Sequence, residues 1–135
     1  MSDITLFSDG GARGNPGPAA IGVVCYRGSE QLWTLKRYIG ETTNNQAEYR
    51  ALLAGLQKAS GLSPTITCYL DSELVVKQLR GEYKVKDKDL QLLVREVIAA
   101  LQAFERVNFE HVPRAKNAVA DRLVNEALDE QLARG

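Results

Sequence analysis

Residues 65–79, TITCYLDSELVVKQL, read as a strand that ends on an aspartate and turns at once into a helix. The first six alternate and are rich in β-branched and aromatic types, which suits a half-buried pleated strand over 65–70. Asp71 and Ser72 follow, and a short apolar-periodic stretch over 73–79 predicts a helix. A strand leading directly into a helix is the repeating unit of an α/β protein with parallel strands. Upstream, 44–59 predicts a long helix, and before it come three strand-like runs at 4–8 (ITLFS), 20–26 (AIGVVCY) and 31–39 (QLWTLKRYI). The third is bounded by Gly28 and Gly40, and the second and third form a hairpin. Downstream, Leu90, Leu93, Val94, Val97, Ile98 and Leu101 repeat at helical spacing across 88–103, a fifth strand covers 107–112, and a last helix covers 116–132. The order βββ-α-β-α-α-β-α describes an antiparallel meander extended by parallel strands. That is an α/β fold built on one mixed sheet.

The 135 residues, 44% hydrophobic and 25% charged, suit one domain spanning 1–135 with a single core. No apolar run approaches the roughly 18 residues that a membrane span needs, and the start MSDITLF lacks the basic-then-apolar pattern of a signal peptide. The expectation is a cytoplasmic monomer with no membrane partner. Cys25 and Cys68 lie in apolar strands, where a cysteine behaves as a small buried hydrophobe, so neither a disulfide nor a metal is assigned to them. Seventeen basic and seventeen acidic residues balance, so net charge alone gives no pull toward a polyanion. Any nucleic-acid affinity must come from local positive charge, with the acids gathered where metals neutralise them.

Asp9 follows the first strand as Asp71 follows the fourth, and ligand crevices of open α/β sheets lie beyond the carboxyl ends of such strands. Two carboxylates held there side by side repel unless a cation lies between them, and hard oxygen donors favour Mg²⁺ or Mn²⁺. Glu48 lies one turn into the first long helix, with Leu52 and Leu56 on the same stripe, so it borders the face that packs on the sheet. Asp121 has a comparable place in the last helix beside Val124 and Leu128. Singly, each acid has an ordinary alternative: Asp9 as a turn residue, Asp71 as a cap, Glu48 and Asp121 as first-turn acids favoured by the helix dipole.

The segments SDGGARGNPGPAAIG, TTNNQAEYRALLAGL, YLDSELVVKQL, HVPRAKN and AVADRLVNEAL occur in an order and spacing that resembles the type 1 ribonuclease H family along essentially the whole chain. The HVPRAKN segment is similar to the archaeal-like branch. The resemblance implies the ribonuclease H-like fold, an α/β fold with a five-stranded mixed sheet and helices on both faces, and an endonuclease that cleaves the RNA strand of RNA–DNA hybrids, leaving 5′-phosphate and 3′-hydroxyl ends. It maps four metal-binding acids onto Asp9, Glu48, Asp71 and Asp121, holding two Mg²⁺ ions with Mn²⁺ as a substitute. In such a site, metals about 4 Å apart activate the attacking water and stabilise the leaving oxygen. Asp9 would bridge both, Glu48 and Asp71 would complete one site, and Asp121 the other.

Many relatives carry a histidine on a mobile loop just before the last acid, and this chain departs from that pattern. Its only histidine, His111, falls within the fifth strand, where alternation points it either into the core or toward the site. Arg114 is the candidate for the loop role, and because an arginine stays charged it would steer phosphate or promote product departure rather than carry protons. Asn15, Asn44 and Asn45 match family positions facing the hybrid's minor groove and backbone, where an amide can both donate to and accept from a 2′-hydroxyl. Thr43 matches a position that grips a DNA phosphate, although a helix cap explains it almost as well. Glu73 stands where relatives often have glutamine, which places an extra negative charge near phosphates.

The stretch 77–88 (KQLRGEYKVKDK) is the one local positive surplus, and it is too short for the extra helix and basic protrusion that some bacterial relatives use. Weaker, salt-sensitive binding is expected. Double-stranded RNA is a second candidate substrate. The competing readings are a noncatalytic binding module on the same fold, a DNA-junction nuclease of the superfamily, and a nucleotide-binding protein. The last is disfavoured because GGARGNPGP has no lysine and lacks the Walker spacing.

Overall fold

The computed structural model describes residues 3–135. Three strands open the chain, β1 (Ile4–Ala12), β2 (Gly17–Arg27) and β3 (Glu30–Thr42), followed by α1 (Asn44–Ala59), β4 (Thr65–Leu70), α2 (Glu73–Leu79), α3 (Lys88–Leu101), β5 (Arg106–His111) and α4 (Ala118–Ala133), with a 3-10 turn at Arg114–Asn117. The sheet order is β3-β2-β1-β4-β5, antiparallel through the first three strands and parallel from β1 through β4 to β5. Every element expected from the sequence is present. The strands of the meander run longer than their apolar stretches, because backbone pairing continues through Gly10-Gly11 and Gly40 after the hydrophobic signal has faded. The last helix starts two residues late, after the 3-10 turn, and α3 ends at Leu101 rather than 103.

β1 runs down the middle of the sheet, and its alternation sets both layers. Ile4 and Leu6, paired with Ile66 and Cys68 of β4, face α1, α2 and α3, where Leu52, Leu56, Val75, Val76, Leu90 and Val97 close the main core. On the other face α4 packs alone, with Val124, Ala127 and Leu128 against Ala20 and the partly buried Tyr38. Two glycines let the helices come close. A Cβ on Gly10 would stand 2.2 Å from the carbonyl carbon and oxygen of Ala47 in α1, and one on Gly22 would stand 2.3 Å from the carbonyl oxygen of Ala120 in α4. Both cysteines are free and buried as expected, and burial pushes the Cys25 thiol up to about 11. Among the described residues no helix is long and apolar enough to cross a membrane.

Candidate active site

The ladder between β1 and β4 stops at the pair Phe7 and Tyr69, and β4 itself ends at Leu70. β1 continues, still paired with β2, to Ala12. Asp9 therefore lies inside its strand rather than after it, as the apolar pattern alone had placed it. Carrying the parallel register two residues further brings Asp9 level with Asp71, the first residue beyond β4. The missing length of β4 opens a notch at the sheet's carboxyl end, with one acid on each side.

α1 brings the third acid. Thr43 caps this helix by accepting a hydrogen bond from the Gln46 amide at 3.2 Å, the capping role anticipated as an alternative for that residue. Glu48 lies one turn in, 9% exposed, with its Oε1 accepting a 3.2 Å hydrogen bond from the Gly10 amide. The close contact at Gly10 sets how deeply Glu48 reaches beside Asp9. Asp9, Glu48 and Asp71 each offer a carboxylate oxygen, and these atoms all lie within 4.8 Å of one another. Asp121, in the first turn of α4, stands outside that tight group but lines the same cleft, of about 410 Å³, with Gly10, Gly11, Ala12, Asn44, Asn45, Ser72, Arg114 and Asn125.

The electrostatics follow from this crowding. Burial, then the charges of Asp71 and Glu48, then a hydrogen bond with Glu48 and the charge of Asp121, push the Asp9 carboxyl up to about 9. Burial raises Glu48 too, against the lowering pull of its hydrogen bonds with Asp9, Gly10 and Ser72. Asp9 and Glu48 therefore favour their protonated forms unless a positive charge takes the proton's place. A donor set made only of carboxylate oxygens fits a hard divalent cation, whose binding would release those protons.

The remaining expected residues separate by position. Asn15 and Asn44 form a clasp: the Asn44 side chain accepts from the Ala12 amide at 2.8 Å, and the Asn15 side chain accepts from the Asn44 amide at 3.1 Å. Asn45 lies beside Asn44 on the cleft wall. Arg114 lines the cleft from the 3-10 turn and is exposed. His111 ends β5 with its side chain exposed, neither in the core nor among the residues lining the cleft. Glu73 is exposed at the start of α2, 4.0 Å from Lys77. Arg80 of the basic stretch is turned to the Phe109 carbonyl and Glu110.

Two features went unread in the sequence. Arg13 reaches across to Asp129 at 2.8 Å and to the Asn125 side chain at 3.2 Å, fastening the glycine-rich loop to α4. Asn117, 1% exposed, donates from Nδ2 to the Ser8 carbonyl at 2.9 Å and to Asp71 Oδ2 at 3.1 Å. The only hint of Asn117 was a polar residue closing HVPRAKN just before an apolar helix.

The family model described as reverse transcriptase-like matches residues 7–127. The bifunctional protein Rv2228c of Mycobacterium tuberculosis is 48% identical over 129 residues, covering 93% of this chain and 35% of that protein. A ribonuclease HI of Halobacterium salinarum is 44% identical over 129 residues, covering 94% of this chain and 65% of that one. The chain thus spans about a third of the mycobacterial relative and about two thirds of the haloarchaeal one. Among solved structures, LC11-RNase H1 in complex with an RNA/DNA hybrid superposes with a TM-score of 0.90 at 43% identity, covering 96% of this chain and 99% of that one.

Proposed function

This chain belongs to the ribonuclease H-like family, and from that premise we propose that it hydrolyses the RNA strand of RNA–DNA hybrids with the help of two divalent ions, Mg²⁺ by preference and Mn²⁺ as a substitute, leaving 5′-phosphate and 3′-hydroxyl ends. The observation that carries this reading is the convergence of Asp9, Glu48 and Asp71 to within 4.8 Å, with Asp121 bordering the same cleft. All four acids that the family resemblance maps are present, which argues against a noncatalytic binding module on the same fold.

Asp9, Glu48 and Asp71 would hold divalent cations, with Asp121 contributing from α4. Bound there, the metals supply charge that offsets the negative charge growing on the phosphate oxygens and a lowered pKa for the attacking water. The protein's own part is placement and recognition. The Gly10 amide holds Glu48, and Asn117 holds Asp71. The clasp of Asn15 and Asn44 holds the loop at the lip of the cleft in one shape, where amide side chains can tell a 2′-hydroxyl from its absence. Thr43 would add a contact to a DNA-strand phosphate at the start of α1. Arg114, charged at any physiological pH, would draw phosphate toward the cleft and help the product leave.

The test is a set of labelled substrates, RNA–DNA hybrid, duplex DNA, and single- and double-stranded RNA, each incubated with Mg²⁺, Mn²⁺ or chelator, beside Asp71→Asn. Metal-dependent cleavage of the hybrid's RNA strand with 5′-phosphate products, absent in the variant, is the expected result. Hybrid left intact in every metal would favour a binding module instead.

A further inference from the structure

Asn117 joins three parts of the cleft. Its Nδ2 meets the carbonyl of Ser8, the residue before Asp9, and the Oδ2 of Asp71, while its backbone lies at the start of α4, four residues before Asp121. A backbone carbonyl can only accept, so the amide nitrogen must face Ser8, and its second hydrogen then reaches Asp71. The opposite atom, Oδ1, is buried with no hydrogen-bond partner. Asn117 stands at the N-cap of α4, yet its side chain makes no capping bond to that helix. An asparagine serving the helix would turn its oxygen to the helix amides. This one leaves its oxygen unpaired and spends both hydrogens on the sheet and the acid.

Resting on the ribonuclease reading above, we propose that Asn117 is a positioning residue that sets the direction of the Asp71 carboxylate and ties α4, with Asp121, to the end of β1. With Oδ2 engaged by the amide, the Asp71 carboxylate is held in a single orientation beside Asp9 and Glu48, so little has to be reordered when a cation enters. Partners of this kind, one step removed from a metal, change affinity or rate by about 10–100-fold when deleted.

The experiment compares wild type with Asn117→Ala, with Asn117→Leu, which keeps the branched side-chain skeleton but no polar atom, and with Leu128→Ala, a core variant of the same helix. Each is measured for Mg²⁺ affinity by calorimetry, for the rise in melting temperature on adding Mg²⁺, and for kcat and KM on hybrid. Both Asn117 variants should bind Mg²⁺ and turn over about tenfold more weakly, with KM for hybrid within about twofold of wild type. Leu128→Ala should melt lower while its Mg²⁺ affinity and kcat stay near wild type. Asn117 variants that only melt lower, with Mg²⁺ affinity and kcat within twofold of wild type, would overturn the proposal and leave the ribonuclease reading intact. Should either variant fail to fold, the other decides; if neither folds even with Mg²⁺, Asn117 is a folding residue and the proposal is overturned. A wild type that neither binds Mg²⁺ nor cleaves hybrid would remove both.

Discussion

Gly10 and Ala47 touch without a side chain between them: a Cβ on the glycine would lie 2.2 Å from the backbone of the alanine. The same contact places the Gly10 amide 3.2 Å from Glu48, the residue after Ala47. Gly10→Ala must therefore push α1 outward or twist β1. We expect a loss of about 1–3 kcal/mol, as for other overpacked sites, and a larger fall in activity than stability alone explains, because Glu48 moves with the helix. Chemical denaturation beside kcat measured well below the melting point checks this. Stability lost with kcat unchanged would separate the contact from the site.

Asp71→Asn should act in opposite directions on stability and catalysis. Removing the Asp71 charge relieves its repulsion of Asp9 and Glu48, so the metal-free variant should melt higher than wild type. Deleting partners of a metal ligand already costs about 10–100-fold, so losing the ligand charge should lower hybrid cleavage by at least about 100-fold. Paired melting curves in chelator and initial rates in Mg²⁺ read both effects.

Metal-free stability should depend on pH through Asp9. Its carboxyl rises from an ordinary 3.8 to about 9 in the folded chain, so between those values the folded form binds a proton that the unfolded form has released. Stability then falls as pH rises across that window and levels off above it. Asp9→Asn should flatten the fall, and saturating Mg²⁺ should reduce it by favouring the ionised site. Melting temperatures in chelator from about pH 4 to 9 test the sign, and a wild-type curve that climbs through this range would contradict it.

Asn15→Ala removes the side chain that receives the Asn44 amide, and with it one half of the clasp on the glycine-rich loop. A net hydrogen bond is worth about 0.5–1.5 kcal/mol, so KM for hybrid should rise by about 3–10-fold with little change in kcat. The lost group is uncharged, so the slope of affinity against salt should match wild type. Lys84→Ala and Lys86→Ala, on the basic stretch, should lower that slope if the stretch meets phosphates. Titrations at several salt concentrations separate the two kinds of contact.

Residue order by itself determined the elements and their kinds, because strand alternation in TITCYL and the helical repeat from Leu90 to Leu101 are local signals. It also marked Asp9, Glu48, Asp71 and Asp121 as acids in places that call for a partner. The tertiary structure decided how those acids meet. Asp9 reaches the cleft from within a strand that outruns β4, a matter of ladder length that no apolar pattern records. The depth of Glu48 depends on Gly10 having no Cβ where α1 crosses, and the clasp of Asn15 and Asn44 joins residues 29 apart. Asn117 bonds to Ser8 across 109 residues of chain. Such pairings arise from strand register and helix docking, which are set by the whole packed sheet and leave no periodic trace in the residues themselves.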